Sequence, residues 1–175
     1  SFFQTNSAGA EVLYSTVRDF AGSGENKIIF DLYCGTGTIT QIMSKNAKKV
    51  YGIEIVEEAV EAAKQNAKLN GIENCEFIAG DVLNMVDELG DRPDLIILDP
   101  PREGINPKAI RKIIDFGAPK LVYISCKASS LSKDLLVFAE HGYKVEKVQC
   151  VDMFPGSFHI ETVCLLAKYP QEAPR

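Results

Sequence analysis

The chain has 175 residues, 46% of them hydrophobic, and a formal net charge of −5 at pH 7. This length fits one domain with a substantial core, and no apolar run is long enough to cross a membrane. The acidic balance argues against a freestanding nucleic-acid binder. Five cysteines without C-x-x-C spacing argue against a disulfide framework or a zinc site. We therefore expect a cytoplasmic protein without a metal ion.

Helices and strands alternate along most of the chain. Apolar periodicity predicts helices at residues 8–20, 39–44, 57–69, 82–89, 106–116 and 129–141. It predicts strands at residues 28–32, 49–53, 75–78, 94–98 and 121–124, followed by two strands at 144–151 and 160–167 that no helix separates. We expect an α/β fold: a mostly parallel seven-stranded sheet covered on both faces, with a C-terminal antiparallel hairpin. Residues 1–169 form the domain and residues 170–175 a loose tail.

Two glycines one residue apart, Gly35 and Gly37, directly follow the first strand. A strand that turns on glycines into a helix exposes backbone N–H groups and lets a ligand approach closely. The pattern differs from the dinucleotide fingerprint because Thr40 occupies the place of the third glycine. With Asp31 it reads D-x-x-x-G-x-G, which resembles the first motif of S-adenosylmethionine-dependent methyltransferases. A tight strand–helix turn without a ligand is the alternative.

Acidic residues and a cysteine stand at the ends of the later strands. Ligands of open α/β sheets bind beyond these ends. Glu54 is placed to accept both ribose hydroxyls of a nucleoside, or it is a solvated charge. Asp81 could bind an adenine amino group or cap the next helix. Asp99 follows a buried strand and precedes two prolines that fix the backbone.

Cys126 follows the fifth strand, beside Lys127 and ahead of a helix. A cysteine in this position is either a small core residue or a nucleophile. The lysine and the helix N-terminus would lower the pKa of the thiol and favour the thiolate. We therefore expect Cys126 to be reactive.

Five segments occur in a fixed order, and together they resemble the catalytic domain of the RNA (uracil-5-)-methyltransferase family, which acts on tRNA and 23S rRNA. They are residues 3–6 (F-Q-T-N), 31–37 (D-L-Y-C-G-T-G), 99–102 (D-P-P-R), 125–126 (S-C) and 152–161 (D-M-F-P-G-S-F-H-I-E). The resemblance covers nearly the whole chain. Two positions depart from the family pattern: Lys127-Ala128 replaces Asn-Pro, and Thr38 stands where Asn is frequent.

The resemblance implies roles for individual residues. Cys126 would be the nucleophile that adds to uracil carbon-6, and Glu161 the base that removes the carbon-5 proton. For His159 two roles stay open, orienting the loop or structural packing. Partial burial would raise the pKa of Glu161 toward neutrality. The cofactor would be S-adenosylmethionine, and the residues expected to contact it are Gln4, Tyr33, Thr38, Glu54 and Asp99.

The resemblance also implies an RNA partner, bound mainly through N-terminal RNA-binding domains of the family that this chain lacks. The chain begins at Ser1 and not at Met, so we expect it to be a fragment; we also expect a monomer without membrane contact. Residues 99–150 hold 9 basic and 6 acidic side chains, against 8 and 15 in residues 1–98. This asymmetry is either surface scatter or a weak phosphate-binding face, whose candidates are Arg102, Lys108, Arg111, Lys112, Lys127 and Lys133.

Other functions remain open from the residues alone. The chain could bind S-adenosylmethionine without turnover, or methylate cytosine or a small molecule. Arg102 occupies the place where methyltransferases of exocyclic amino groups carry an aromatic residue, which disfavours an amino group as the target. A nicotinamide oxidoreductase is disfavoured because Thr40 replaces the third glycine and Cys126 would have no role.

Overall fold

The computed structural model describes residues 6–24, 27–85, 89–153, 155–157 and 160–170. Within these ranges six helices alternate with seven strands. The helices are α1 (Ser7–Ala21), α2 (Thr38–Ser44), α3 (Glu57–Leu69), α4 (Val82–Met85), α5 (Pro107–Asp115) and α6 (Ala128–Glu140). The strands are β1 (Ile28–Leu32), β2 (Lys49–Glu54), β3 (Cys75–Ala79), β4 (Leu95–Leu98), β5 (Lys120–Ser125), β6 (Tyr143–Val151) and β7 (Glu161–Lys168).

All seven strands form one sheet in the order β3-β2-β1-β4-β5-β7-β6. The first five are parallel to one another, while β7 runs antiparallel to both β5 and β6. The expected C-terminal hairpin is therefore confirmed. Its second strand, β7, lies inside the sheet, and β6 forms the edge.

The sheet is covered on both faces, as its continuous apolar strands require. On one face, α5 and α6 bury Ile110, Ile113 and Phe138 against side chains such as Phe30 and Tyr123. On the opposite face, α1 and α2 pack against alternate residues of the same strands, and α3 covers Phe77 of β3. Alternate residues of each strand point to opposite faces, so a strand between two helical layers is apolar throughout.

Several local signals set the helix bounds. Asn6 caps α1 because its side-chain Oδ1 accepts a hydrogen bond from the Gly9 N–H at 3.0 Å. Asn106 caps α5 in the same way, and Pro107 occupies the first turn. The expected helix at residues 82–89 ends at Met85 in the described chain; residues 86–88 lie outside the described residues. Leu89 is not helical and is followed by Gly90, which disfavours a helix.

The order of the strands creates a crevice between β1 and β4. From β1 the chain proceeds to β2 on one side, and from β4 it proceeds to β5 on the other. Such a switch point opens a ligand-binding crevice at the carboxyl ends of the strands. The glycine turn after β1 and residues 99–102 after β4 both lie at this crevice. None of the helices in the described parts of the chain is long and apolar enough to span a bilayer.

Gly37 shows why a glycine is needed in the turn after β1. Its φ angle is 78°, and an added Cβ would lie 2.6 Å from Cε1 of Phe77 and 2.9 Å from Cβ of Ala63. A side chain would therefore be strained by the backbone and would also collide with the core between α2 and α3.

We expect Gly37→Ala to lower the free energy of unfolding by about 2–4 kcal/mol, the sum of left-handed backbone strain and overpacking. Gly71→Ala is the matched control, because φ is 65° there and nothing lies within 4 Å of the added carbon. It should cost only about 1–2 kcal/mol, from the backbone alone. Urea unfolding of both variants measures the difference; equal losses would show that the contact with Phe77 is unimportant.

Candidate active site

A cavity of about 830 Å³ lies at the carboxyl ends of the strands. This volume is within the range of pockets that hold small molecules and cofactors. Its wall is formed by Leu13, Tyr14, Tyr33, Cys34, Gly35, Thr36, Thr38, Ile39, Glu54, Val56, Ala59, Asp99, Pro100, Pro101, Arg102, Cys126 and Glu161. Seven of the predicted catalytic and cofactor-binding residues line this one cavity: Tyr33, Gly35, Thr38, Glu54, Asp99, Cys126 and Glu161.

Gly35 and Glu54 form one end of the cavity and are joined to each other. The Gly35 N–H donates a hydrogen bond to Oε2 of Glu54 at 3.0 Å, and the Val56 N–H donates to Oε1 at 3.0 Å. These bonds fix the carboxylate at the end of β2 while leaving lone pairs for a ligand. Nothing lies within 4 Å of the position that a Cβ on Gly35 would take, so a ligand can approach the backbone there.

Tyr33 has an unusual backbone conformation at the same place. Among the described residues it alone, apart from glycines, has a positive φ, 72°. Its N–H and that of Cys34 both donate to the Ile53 carbonyl, at 2.9 and 3.0 Å, which holds the chain in this conformation. Burial, followed by the charges of Asp81 and Asp134, raises the pKa of Tyr33 to about 12. Left-handed backbone at a non-glycine residue is strained and concentrates at functional sites.

Asp99 lies at the bottom of the cavity, after β4. Its side chain is exposed to the cavity, yet protein atoms surround the carboxyl group on its other sides. This burial, together with the charges of Glu161 and Asp31, raises the pKa of Asp99 to about 7. The group thus titrates near neutrality, and a cation bound beside it would favour its charged form.

Cys126 and Glu161 come together through the pairing of β5 with β7. Ser125 is opposite Thr162 in the register, so Cys126 and Glu161 each lie one residue beyond the last pair, on the same side. Both side chains are half-buried and line the cavity. The hydroxyl of Ser125 braces the turn, since it bonds to both the N–H and the carbonyl of Lys127 at 3.1 Å.

The expected lowering of the thiol pKa is wrong. Burial raises the pKa of Cys126, and the negative charges of Glu161 and Asp99 add to the rise, whereas the positive charge of Arg102 opposes it. Lys127, from which the lowering was expected, is exposed, and water screens its charge. The expected rise for Glu161 is confirmed: partial burial raises its pKa.

The remaining sequence candidates lie elsewhere. Gly37 is behind the cavity wall, where it packs against Phe77. Asp81 is not part of the wall; its Oδ1 accepts from the Leu83 N–H at 3.0 Å at the start of α4, which is the capping geometry. Gln4 and His159 lie outside the described residues.

Two contributions to the site were missed in the sequence. Tyr14 lines the cavity from α1, with its pKa raised by burial and by Asp99; helical periodicity could have placed it beside Leu13, but not at the site. Asn6 donates from Nδ2 to the Met153 carbonyl at 3.2 Å, so it ties the start of α1 to the segment that leads to β7. One residue of the first motif, Asn6, thus contacts one residue of the last, Met153.

Other features of the surface do not compete with this site. A groove of about 700 Å³ lies at the opposite end of the sheet, around Gly117, Pro119 and Lys168, away from the glycine turn. In the described part of the chain, no three His, Cys, Asp or Glu side chains are placed to share a metal ion.

Comparison with known proteins places this geometry in context. The methyltransferase domain family matches residues 23–172. An uncharacterized RNA methyltransferase of Clostridium acetobutylicum is 60% identical over 168 residues, which are 96% of this chain and 37% of that protein. An uncharacterized RNA methyltransferase of Caldanaerobacter subterraneus is 56% identical over 168 residues, again 96% of this chain and 37% of that protein. The chain thus spans little more than a third of the length of these relatives.

A solved structure shares the fold. The Pyrococcus abyssi tRNA (uracil-54, C5)-methyltransferase, in complex with S-adenosyl-L-homocysteine, superimposes with a TM-score of 0.83 at 30% identity. The match covers 95% of this chain and 40% of that one. The open backbone at Gly35 and the anchored carboxylate of Glu54 fit a nucleoside cofactor of this kind.

Asp31 lies in strand β1, shortly before the glycine turn, and is fully buried. Its Oδ2 accepts a hydrogen bond from the Thr40 hydroxyl at 2.5 Å, and its Oδ1 has no partner among the described residues. Burial raises the pKa of Asp31 to about 7, and the charge of Glu54 contributes. The folded protein therefore keeps a proton that the unfolded chain releases near pH 4. Because of this group, the free energy of unfolding falls as pH rises from about 4 to about 7.

Replacing Asp31 by Asn should remove this pH-dependent loss, because the amide oxygen can still accept from Thr40 and carries no charge. We expect the difference in melting temperature, Asp31→Asn minus wild type, to be about 5 °C larger at pH 8 than at pH 5. Asp115→Asn, at an exposed position on α5, should show no such pH trend. Parallel melting curves for Asp31→Asn and wild type would contradict the raised pKa.

Proposed function

Because this chain belongs to the methyltransferase domain family, we propose that it methylates carbon-5 of a uridine in RNA through a covalent adduct with Cys126. The observation that carries the proposal is the position of Cys126 and Glu161, side by side in the cavity that also holds Gly35 and Glu54. The tRNA (uracil-54, C5) activity named for the Pyrococcus abyssi structure supports it, as do the relatives named as RNA methyltransferases.

The cofactor is S-adenosylmethionine, which supplies an electrophilic methyl group when bound. We propose that Glu54 accepts hydrogen bonds from the ribose and that the open backbone at Gly35 contacts the amino-acid portion. Tyr33, Thr38 and Asp99 complete the proposed set within the described residues, with Gln4 as a further member from the sequence motif. The negative charge of Asp99 would lie near a cationic methyl donor, which favours the bound state.

Carbon-5 of uracil is a weak nucleophile, and in this proposal Cys126 activates it. The thiol releases its proton to solvent, and the thiolate adds to carbon-6; the electron pair of the carbon-5–carbon-6 double bond moves to form an enolate. Carbon-5 then takes the methyl group, the bond from the methyl carbon to the sulfonium sulfur breaks, and S-adenosylhomocysteine is left as the thioether while the carbonyl at carbon-4 is restored. The raised pKa of Cys126 makes the thiolate scarce in the free protein, so the cation Arg102 matters for this step.

Glu161 would complete the reaction. The methylated adduct still carries a proton on carbon-5, and the carboxylate of Glu161 removes it. The electron pair of that bond re-forms the double bond, and the bond from carbon-6 to sulfur breaks, returning Cys126 as thiolate. The raised pKa of Glu161 makes it a better base than an ordinary carboxylate near neutrality.

We also propose that the RNA is a tRNA or 23S rRNA and that segments outside this domain supply most of its affinity. Three basic residues of the candidate set, Lys108, Arg111 and Lys133, are exposed on α5 and α6, and Arg102 lines the cavity. The net charge of −5 leaves little attraction for phosphates overall. The target uridine would have to leave its stack to reach the cavity, which costs a few kcal/mol unless it lies in a loop.

Adduct trapping tests the chemistry. With unmodified tRNA and 23S rRNA transcripts and S-adenosylmethionine, Glu161→Gln should accumulate a covalent RNA–protein species, because the amide cannot remove the carbon-5 proton. Cys126→Ala should form none and should lose methylation by at least about 100-fold. Denaturing gels and nucleoside mass spectrometry detect the two products.

The double variant Cys126→Ala/Glu161→Gln is the control, and it should form no adduct. Normal methylation by Cys126→Ala would overturn the covalent mechanism, and 5-methylcytidine as the product would overturn the uridine assignment. Cofactor binding in calorimetry without methylation or adduct would identify this chain as a binding module that does not turn over by itself.

Phosphate contacts can be tested through their salt dependence. We expect weak binding of tRNA by this chain, and Lys133→Gln should reduce the slope of log affinity against log salt by about 1. Lys68→Gln, on α3 across the sheet, should leave the slope unchanged. Filter binding measures both, and tight binding by this chain, or an equal loss from Lys68→Gln, would contradict the proposed face.

A further inference from the structure

Two buried polar side chains of helix α6 form hydrogen bonds with the segment that follows β4. The Ser130 hydroxyl donates to the Arg102 carbonyl at 2.8 Å. Asp134 Oδ2 accepts from the Ile105 N–H at 2.8 Å and from the Tyr123 hydroxyl at 2.6 Å. Ser130 and Asp134 are both buried. Buried polar groups one turn apart on α6 thus hold residues 102–105 at two points.

The residues on either side of Arg102 are constrained as well. Pro100 and Pro101 fix their own φ angles, and the Gly104 N–H donates to the Pro101 carbonyl at 2.9 Å. Gly104 has a φ of 90°, and an added Cβ would lie 2.8 Å from Oδ2 of Asp134. The backbone therefore fits closely against α6, the helix that begins just after Cys126.

The backbone position of Arg102 affects the Cys126 thiol. The Arg102 side chain is long and exposed, yet its positive charge acts on that thiol in the cavity. Arg102 lines the cavity together with Cys126, Glu161 and Asp99, and its charge favours the thiolate against the two carboxylates. A long exposed side chain loses much of its electrostatic effect to water and to its own rotamers. How much of that effect reaches the sulfur depends on where the backbone places the Cβ.

We propose that Ser130 is a positioning residue, which holds the Arg102 backbone so that the guanidinium group stays beside the sulfur of Cys126. The proposal rests on the role of Cys126 as the nucleophile. Because α6 follows Cys126 directly, the bond from Ser130 makes nucleophile and cation parts of one unit. Loss of the hydroxyl frees the Arg102 carbonyl at one end of the turn, and the average distance from guanidinium to sulfur increases.

The reactivity of Cys126 toward iodoacetamide, followed by peptide mass spectrometry between pH 7 and 9.5, tests the proposal without RNA or cofactor. Ser130→Ala should slow alkylation of Cys126 at pH 8 by about two- to fivefold, the size of an exposed charge interaction, and should shift the pH profile upward. Ser132→Ala is the matched control, because that exposed hydroxyl on the same helix bonds the local Ser129 carbonyl, at 3.1 Å. The exposed Cys150 is the internal reference.

A double-mutant cycle separates positioning from general loosening. If Ser130 acts through Arg102, Ser130→Ala should have no further effect on alkylation in the Arg102→Ala background. An equal slowing in both backgrounds, or no slowing in either, overturns the proposal, as does faster alkylation that reports an opened site. The outcome is distinct from failure of the proposed function, in which Cys126 would respond as described while uridine methylation is absent.

Discussion

The pairing of β7 with β5 is the constraint on which the site depends. Strand β7 enters the sheet antiparallel, so its beginning lies at the same edge as the ends of the parallel strands. The register that sets Ser125 opposite Thr162 brings Glu161 to Cys126. Since side chains alternate between faces, a shift of one residue would turn Glu161 away from the cavity. The buried contacts of β7, which include Val163 and Leu165, fix this register.

Acidic side chains dominate the electrostatics of the cavity. Glu54, Asp99 and Glu161 line it, and Asp31 lies buried beneath the glycine turn. Charges of like sign at short range oppose one another's ionisation, which accounts for part of the raised pKa values of Asp99 and Asp31. The same field disfavours a thiolate and favours a cationic ligand. The arrangement thus suits a positively charged ligand better than a thiolate at Cys126, whose pKa stays raised although Arg102 opposes the rise.

Local patterns in the sequence predicted the fold and part of the cavity wall. Apolar periodicity located the strands, and the residues just after them had to meet at one edge of a parallel sheet. Glu54 and Asp99 could therefore be placed without coordinates. The pKa of Cys126 could not be predicted in this way. Burial and the charge of Glu161 raise it, and both depend on distant parts of the chain.

Other features were also beyond the reach of local patterns. Asp81 was predicted as a cap or as a ligand contact; its Oδ1 accepts from the Leu83 N–H, which is the cap, while the ligand contact stays a prediction. Tyr14 lies on α1, far in sequence from the glycine turn, and its place in the cavity wall depends on how that helix packs on the sheet. The bond between Asn6 and Met153 joins two segments that no periodicity relates.

Strand β7 lies between β5 and β6 in the sheet, but it is the last of the three in the chain. The glycine turn, Glu54 and the thiol are all made before the strand that carries Glu161. Until β7 pairs with β5, the cavity lacks the wall residue Glu161 and β6 has no neighbouring strand. Completion of the cavity wall therefore coincides with closure of the sheet, because the same strand does both.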